Sequence, residues 1–362
     1  MKTIKVKLSD NSYNINIGLN LFKNILYSIN RLNMGNFAVI VTSKSVSFYY
    51  KTLIQKSFKG IQNKIIVLPD GENAKTRDCL FRIIDEIIKA DRLGRKIFLV
   101  CLGGGTVGDV GGFAAAIYKR GIPYVQIPTT LLSQIDASIG GKTAIDLSQA
   151  KNILGSFYQP KAVFIDPVFL RTLTKKELKE GLAEAVKYGI IKDKSLFYFL
   201  KNNYQKVLSL QSFAMLKVIE TCVKIKAKVV EEDELEKKGI RTILNFGHTL
   251  AHAMEAASRY KNISHGAAVS VGMLYAAYLS CSLGVCDCQE INKIKDILSK
   301  LMLPTKTDID YRQIYKAMRY DKKFIQGTFR FVALRKIGKV EVRENISKDL
   351  VVKTLRKFAV SV

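Results

Sequence analysis

The sequence contains only three histidines among its 362 residues and no run of about 18 uncharged apolar residues. The second absence argues against a helix that crosses a membrane. Residues 1–7 alternate as a strand does, without the apolar segment of a signal peptide. The six cysteines have neither the spacing of a metal site nor that of a disulfide framework. We therefore expect free thiols and a cytoplasmic protein.

Acidic residues are also scarce, since 31 Asp and Glu stand against 58 Lys and Arg, which gives a formal net charge of +27. Such a charge attracts polyanions, so nucleic-acid binding is a hypothesis to weigh. The lysines are spread along the chain, however, with no basic helix and no interleaving of basic and aromatic residues. A compositional bias towards Lys, Asn and Ile explains the charge more simply. We predict no nucleic-acid partner, whereas an anionic substrate is compatible with this charge.

The three histidines are close together in the chain, as His248, His252 and His265. His248 and His252 are four residues apart and share one face of a helix. His265 follows a loop-like segment and opens a second apolar run. Two helices that each bring an imidazole to a common point are a common way to build a divalent-metal site. Core histidines without a ligand are the alternative, and a zinc-protease helix is excluded because Thr249 stands where its Glu would be.

The length exceeds the size at which single cores usually stop growing, so we expect two domains. Up to residue 173, apolar runs alternate with helical patterns, which predicts a parallel sheet covered by helices. The predicted strands are an antiparallel pair at 2–8 and 12–17, followed by 37–41, 64–68, 97–102, 124–127 and 162–165. After a capping box at Thr174–Glu177, helical periods dominate. We therefore predict an α/β domain over 1–173 and a helical domain over 174–362, with a strand or hairpin at 327–334 and a terminal helix at 341–362.

Polar or glycine-rich segments follow each predicted core strand, at 42–44, 70–75, 103–109, 128–130 and 166–167. Ligands of parallel sheets bind beyond the carboxyl ends of the strands, so this pattern is typical of a nucleotide cleft. Gly103-x-Gly105-x-x-Gly108 fits the dinucleotide fingerprint, although glycines that only permit a tight turn are the alternative. Because this motif follows the third core strand and no acidic residue follows the next one, a standard Rossmann domain is not expected.

Residues 133–160 contain a Gly-Gly-Lys-Thr sequence that ends at Thr143. A Walker A loop is excluded because Asp136 occupies the position of its first glycine. We interpret the segment as a polar loop whose Lys142, Lys151 and Asn152 suit an oxygen-rich anionic ligand.

Glu184 lies among apolar residues of a predicted helix, where a carboxylate without a partner is costly. A metal ion would be such a partner. Lys187 follows on the same helical face and would present an ammonium group beside it. An ordinary solvated helix face is the alternative for this pair.

Together these segments resemble the 3-dehydroquinate synthase family of sugar-phosphate cyclases, over about residues 35–340. The matching segments are Asp70–Lys75, Gly103–Asp109, Tyr118–Gly121, Pro128–Thr130, Asp136–Thr143, Lys151–Asn152, Gly181–Gly189, Arg241–Glu255, His265–Gly266 and Asp321–Lys323. The resemblance implies an NAD-binding α/β domain with a Rossmann-like but non-standard parallel sheet, an all-α metal-binding domain, and an active site between them.

The resemblance also implies roles for individual residues. It assigns a divalent metal, Zn²⁺ first and Co²⁺ as the alternative, to Glu184, His248 and His265. It assigns NAD to Asp70, Gly71, Glu72, Asn73, Ala74, Lys75, Gly105, Thr106, Val107, Gly108, Asp109, Thr129, Thr130, Lys142, Lys151, Phe169, Leu170, Arg171 and Thr172. The substrate and its chemistry fall to Arg120, Asp136, Lys142, Lys151, Asn152, Lys187, Lys226, Arg241, Asn245, His252 and Lys322. A homodimer without a membrane partner is the implied assembly.

The implied reaction converts 3-deoxy-D-arabino-heptulosonate 7-phosphate to 3-dehydroquinate and phosphate. The reaction begins with NAD-dependent oxidation of the substrate and elimination of its phosphate. Reduction, which regenerates NAD⁺, is followed by ring opening and an intramolecular aldol closure. The metal ion acts as a Lewis acid. The leaving phosphate takes up the proton in this scheme, so no separate protein base is needed.

Three residues depart from the family pattern: Ala267 replaces a usual Glu, Asp146 a usual Asn or His, and Ala150 a usual Gly; one extra residue also precedes Arg241. Ala267 removes a group expected to orient the metal ligands. A cyclase acting on another sugar phosphate, such as a 2-epi-5-epi-valiolone or 2-deoxy-scyllo-inosose synthase, is the nearest alternative. A metal-dependent dehydrogenase of the glycerol dehydrogenase type is a second, and a non-enzymatic basic binding protein a third.

Overall fold

The computed structural model describes residues 1–147, 150–258, 263–318, 324–325 and 328–361, and the statements below concern these residues. The chain divides into two compact units. The first consists of Met1–Thr174 and Met215–Leu235, and the second of Lys175–Ala214 and Glu236–Val362.

The strands in the described residues are β1 Lys2–Val6, β2 Tyr13–Ile17, β3 Phe37–Ser43, β4 Gln62–Leu68, β5 Ile97–Gly103, β6 Tyr124–Pro128, β7 Lys142–Leu147, β8 Ala150–Phe157, β9 Ala162–Ile165, β10 Phe324–Ile325, β11 Thr328–Lys336 and β12 Lys339–Ser347. The α-helices are α1 Ile25–Asn30, α2 Lys44–Ser57, α3 Arg77–Asp91, α4 Gly105–Ile117, α5 Lys175–Ile191, α6 Lys194–Asn202, α7 Tyr204–Leu208, α8 Ser212–Glu232, α9 His248–Ala257, α10 His265–Ser282, α11 Gln289–Lys300, α12 Tyr311–Met318 and α13 Lys348–Ser361.

The first unit is built on a seven-stranded sheet in the order β1-β2-β9-β6-β5-β3-β4. Only β1 is antiparallel to its neighbour, and the remaining pairs are parallel. Every residue of β3, β5, β6 and β9 is buried, as expected of central parallel strands covered on both faces. The predicted parallel sheet is therefore confirmed, together with its antiparallel edge pair.

The order of the strands fixes where a ligand would bind. The chain leaves β3 in one direction to form β4 and then returns to the other side of β3 to form β5. Open α/β sheets bind ligands at such a reversal, outside the carboxyl ends of the strands. The switch point thus lies at the ends of β3 and β5, beside the segments 42–44 and 103–109.

The hairpin of β7 and β8 corrects the prediction of a polar loop over this segment. β7 buries Thr143, Ala144 and Ile145, whereas all eight residues of β8 are exposed. A strand exposed along its whole length has no alternation of buried and solvated side chains, so the period-two signal is missing.

Residues 215–235 pack with the first unit, although they lie far beyond residue 173. Lys2 of β1 donates to Glu220 of α8, at 2.5 Å, and the amide of Lys7 donates to Glu231, at 2.7 Å. The second half of the chain thus contributes one long helix to the first unit.

The second unit is predominantly helical, as predicted, and also contains the antiparallel sheet β10-β11-β12. β12 corrects the expectation of a helix over residues 341–347, because Val340 and Val342 alternate with charged residues opposite β11. The helix begins only at Lys348. Helix α10 is buried on most of its surface and packs against α5, α9, α11, α13 and β11.

The prediction of six free thiols is wrong for two cysteines, because Cys281 and Cys288 form a disulfide bond. The others are free thiols, at Cys79, Cys101, Cys222 and Cys286. Among the described residues, no helix has the length and apolar character needed to span a bilayer.

Candidate active site

The second unit brings three potential metal ligands together. The Nε2 atoms of His248 and His265 each lie 3.5 Å from Oε1 of Glu184. One ligand atom of each residue lies within 4.8 Å of the others. The Glu184 side chain is fully buried, whereas the His265 side chain is 33% exposed. One carboxylate oxygen and two imidazole nitrogens are a ligand set of catalytic zinc sites, which keep a further position open. Solvent reaches the cluster on the side of His265.

Close helix contacts place these ligands. His248 and His265 are the first residues of α9 and α10, and Glu184 lies one turn after Glu180 in α5. A Cβ on Gly266 would lie 2.4 Å from the Cα of Glu180, so glycine allows α10 to approach α5. A Cβ on Gly272 would likewise lie 2.1 Å from the carbonyl oxygen at the start of α9. The two glycines therefore let both imidazoles reach the glutamate.

Charge is balanced within the cluster. Lys187, 2% exposed, contacts the Glu184 carboxylate through Nζ, as their spacing on α5 predicted. Burial, together with the Lys187 ammonium, lowers the pKa of His248 well below its usual value. Burial also opposes charge on His265, but the Glu184 and Glu255 carboxylates outweigh it and raise its pKa to about 10.

The outer nitrogens of both rings also have partners. Nδ1 of His248 lies 3.3 Å from the carbonyl oxygen of Phe246. Nδ1 of His265 lies 3.2 Å from Oε1 of Glu255. Each contact leaves Nε2 directed at Glu184. The exposed His252 ring is 5.4 Å from the His248 ring and does not belong to the ligand cluster.

The first unit contains a second polar cluster, around Lys75, which follows the 3-10 helix Gly71–Ala74 after β4. Its Nζ donates to Asp109 Oδ2 at 2.7 Å, contacts Asn152 Oδ1 and lies 4.0 Å from Asp146 Oδ1. Asp146 also accepts the Asn152 amide at 2.7 Å, and Asn152 has a left-handed φ of 53°. Burial raises the pKa of Asp109 to about 6, although Lys75 opposes this shift. Lys75 thereby joins the start of α4 to the β7–β8 hairpin.

Backbone and side-chain contacts link the ends of neighbouring strands, at the edge of the sheet where the polar segments were predicted to lie. The Ser45 amide donates to Asp70 Oδ1 at 3.0 Å, the Thr129 amide to the Gly103 carbonyl at 2.9 Å, and Gln134 Nε2 to the Asp166 carbonyl at 3.0 Å. None of the glycines at 103, 104, 105 and 108 has a left-handed φ. A left-handed turn is therefore not the reason for these glycines. A Cβ on Gly103 would lie 2.6 Å from the Val107 side chain, and one on Gly108 2.7 Å from the Gln126 side chain, so close packing requires glycine at both positions.

Two predicted anion-binding side chains are buried with acidic partners. Lys226 of α8, 8% exposed, contacts Asp136 within the first unit. Arg241 of the second unit, 3% exposed, lies 3.2 Å from Glu236. Lys142 and Lys151 lie on the hairpin, and Lys151 is 3.4 Å from Glu72. The contacts of Lys226 and Arg241 with these carboxylates hold the two buried cations in place.

Some predicted residues lie apart from these clusters. Arg120 is exposed in a 3-10 turn, Tyr118–Arg120, and Asn245 ends another, Ile240–Asn245. The Phe169 ring packs against Tyr50, and Leu170 is 1% exposed, so their side chains belong to the core. Thr172 bonds to the Tyr50 hydroxyl at 3.0 Å, and Arg171 is exposed. Lys322 lies outside the described residues.

Comparison with known proteins decides the family. Residues 65–180 match the family model of the 3-dehydroquinate synthase N-terminal domain, and residues 181–324 match that of the C-terminal domain. The 3-dehydroquinate synthase of Desulforamulus reducens is 41% identical over 352 residues, which cover 96% of this chain and 98% of the relative. The chain belongs to the 3-dehydroquinate synthase family.

Solved structures related to this family share the fold along almost the whole chain. A 2-deoxy-scyllo-inosose synthase bound to carbaglucose-6-phosphate, NAD⁺ and Co²⁺ matches with a TM-score of 0.87 and 25% identity, covering 98% of this chain and 100% of the other. The 2-epi-5-epi-valiolone synthase of Streptomyces hygroscopicus, with NAD⁺ and Zn²⁺ bound, has a TM-score of 0.87 and 26% identity, covering 98% and 99%. Membership of the 3-dehydroquinate synthase family places this chain among carbocycle-forming enzymes.

The sequence pattern gave no role to two acidic residues of these clusters. Glu255 follows His248 by seven residues and therefore lies two turns further along the same face of α9. This spacing could have indicated that Glu255 lies on the side of α9 that carries a metal ligand. In the sequence, Asp146 stands out as a departure from the family pattern, at a position where cyclases for other sugar phosphates are expected to differ. Its bond to the Asn152 amide depends on the hairpin, which the sequence pattern did not indicate.

Proposed function

We propose that this chain converts 3-deoxy-D-arabino-heptulosonate 7-phosphate to 3-dehydroquinate and phosphate, using tightly held NAD⁺ and a divalent metal ion. The cluster of Glu184, His248 and His265 is the observation that carries the proposal. Membership of the 3-dehydroquinate synthase family supports the choice of reaction.

The cofactors have sites whose chemistry suits them. Glu184, His248 and His265 would hold the metal, with Zn²⁺ as the first choice and Co²⁺ as the alternative. NAD⁺ would bind at the ends of the strands. The residues that would hold it are Asp70–Lys75, Gly105–Asp109, Thr129, Thr130 and the other residues that the resemblance assigns to NAD. When bound, NAD⁺ supplies a reversible hydride acceptor and the metal a Lewis acid.

The chain's own residues contribute binding and charge. Lys187 neutralises part of the Glu184 charge and is in place before a substrate arrives. The phosphate and carboxylate of the substrate would be held by the predicted cations and one amide, which are Lys142, Lys151, Asn152, Lys226, Arg241 and Lys322. Arg120, Asp136, Asn245 and His252 complete the proposed set. Because Lys226 and Arg241 are already paired and buried, they hold fixed orientations.

A cyclase of another sugar phosphate is the second candidate, favoured by the backbone match to the two solved cyclases. Their identity of 25–26% is well below the 41% shared with a 3-dehydroquinate synthase. Assays with the proposed substrate and with a heptose or hexose phosphate lacking a carboxylate separate the two. Turnover only with the carboxylate-bearing substrate supports our proposal, and turnover only with the others would change the substrate while keeping the family.

We also propose a homodimer in the cytoplasm. The β7–β8 hairpin offers an apolar surface for a second copy, since Leu147, Ile153, Leu154 and Phe157 are each at least 40% exposed. The cytoplasmic location follows from the biosynthetic role of the relatives. Sedimentation of the wild type and of Ile153→Lys tests the dimer, and a wild-type monomer would refute it.

A further inference from the structure

We propose that Glu255 is a positioning residue for the metal site, which holds the His265 ring so that its Nε2 faces the metal. This inference rests on the metal site of the proposed function. It gives Glu255 no contact with the metal and no part in proton transfer during the reaction.

The geometry of α9 and α10 carries the inference. Glu255 Oε1 lies 3.2 Å from His265 Nδ1, and the Glu255 side chain is only 13% exposed. On the other side of the same ring, Nε2 lies 3.5 Å from Glu184. The imidazole is thus held at both nitrogens, by carboxylates from two different helices.

His265 depends on such a restraint more than His248 does. The His265 side chain is 33% exposed, and His265 is the first residue of its helix. The His248 side chain is 11% exposed, and its Nδ1 faces a backbone carbonyl at 3.3 Å. A carboxylate acceptor fixes the ring with Nδ1 protonated and makes Nε2 a better electron donor than a carbonyl does. Glu255 therefore contributes both orientation and ligand strength.

A purely structural contact between α9 and α10 is the competing hypothesis. It predicts a loss of stability but no specific loss of metal affinity. Glu290 offers a matched control, because it is a helical glutamate, 7% exposed, that accepts the Ile337 amide at 2.9 Å and pairs with Lys293 outside the ligand cluster.

The experiment compares the full-length wild type with Glu255→Ala, Glu255→Gln and Glu290→Ala. Zn²⁺ affinity is measured by competition with a chromophoric chelator, the Co²⁺ site by its visible absorption, and folding by circular dichroism. We expect Glu255→Ala to weaken Zn²⁺ binding about 10- to 100-fold and to alter the Co²⁺ spectrum. Glu255→Gln keeps an acceptor and should lose less.

Glu290→Ala should lower the melting temperature while its Zn²⁺ affinity and Co²⁺ spectrum stay at the wild-type values. Folded Glu255→Ala with wild-type Zn²⁺ affinity would overturn the inference, and so would an equal loss of affinity in Glu290→Ala. If Glu255→Ala fails to fold, Glu255→Gln with unchanged affinity and spectrum would overturn it instead. Because these readouts need no turnover, a wild type that binds Zn²⁺ but releases no phosphate would refute the proposed reaction and leave the role of Glu255 standing.

Discussion

Replacing Glu184 by Gln should remove two separate contributions to stability. Glu184 is fully buried and is paired with Lys187, itself 2% exposed. Without a carboxylate, the Lys187 ammonium stays buried, and breaking a buried pair in this way costs about 3 kcal/mol or more. At about 2–4 °C per kcal/mol for a unit of this size, the metal-free variant should melt about 6–12 °C below the wild type.

The second contribution appears only with metal. Zn²⁺ at a thousand times its dissociation constant stabilises the wild type by about 4 kcal/mol, or about 8–16 °C. Groups that only support metal ligands change affinity about 10- to 100-fold, so losing the anionic ligand should cost at least about 100-fold. At the same Zn²⁺ concentration the variant then gains only about 1.4 kcal/mol, or about 3–6 °C.

Thermal unfolding of metal-stripped protein, with and without Zn²⁺, measures both effects. Glu290→Gln is the control, since it removes a buried carboxylate outside the cluster and should keep the full Zn²⁺-dependent shift. A Glu184→Gln protein whose melting temperature rises with Zn²⁺ as much as the wild type does would refute the assignment of Glu184 as a ligand.

Three further predictions concern the first unit. The pKa of Asp109 in the folded protein, about 6, lies above its ordinary value of 3.8, so the folded state binds more protons between these values. The free energy of unfolding of the wild type minus that of Asp109→Asn should therefore fall as pH rises from about 4 to about 6 and then stay level. Urea titrations at several pH values measure this difference, and a difference that does not change with pH would contradict the prediction. Asp146→Ala removes the acceptor of the Asn152 amide, so the free energy of unfolding should fall by about 1 kcal/mol and KM should rise. Asp146→Asn keeps an acceptor and should restore both values. Equal KM values for the wild type and Asp146→Ala in steady-state assays would show that this bond is dispensable. Lys226→Met should raise KM for the phosphate substrate about tenfold or more with a smaller change in kcat, and an unchanged KM would remove Lys226 from the substrate site.

The central sheet could be predicted because β3, β5, β6 and β9 are buried on both faces, and their sequences are therefore short, mostly apolar runs. Phe37–Ser43 and Ile97–Gly103 are such runs. The metal cluster could be predicted in part, because the three histidines lie close together in the chain and Glu184 lies within an apolar helix, where a carboxylate needs a partner. The helical spacing pairs His248 with His252, however, and only the family resemblance indicated that His265, and not His252, completes the cluster.

The features that the sequence did not indicate leave no periodic pattern in the residues that form them. The β8 strand is exposed throughout, so its pairing with β7 leaves no pattern in its residues. Helix α8 packs with the first unit through contacts such as Lys226 with Asp136, 90 residues apart. The disulfide between Cys281 and Cys288 likewise depends on how the chain turns from α10 into α11.

Ala267 raised the question of what orients the metal ligands in this chain. In the structure, the carboxylate at His265 Nδ1 comes from Glu255, on the neighbouring helix. Glu255 belongs to the matching segment Arg241–Glu255, and its contact with His265 follows from the packing of α9 against α10.

The central claim is that this chain is a carbocycle-forming cyclase that regenerates its NAD⁺. The most direct test measures phosphate release from 3-deoxy-D-arabino-heptulosonate 7-phosphate with Zn²⁺ and substoichiometric NAD⁺, while NADH absorbance is followed. We predict many equivalents of phosphate per NAD⁺, no accumulation of NADH, and complete loss of phosphate release after chelation. Accumulation of NADH without phosphate would contradict the claim and indicate a dehydrogenase.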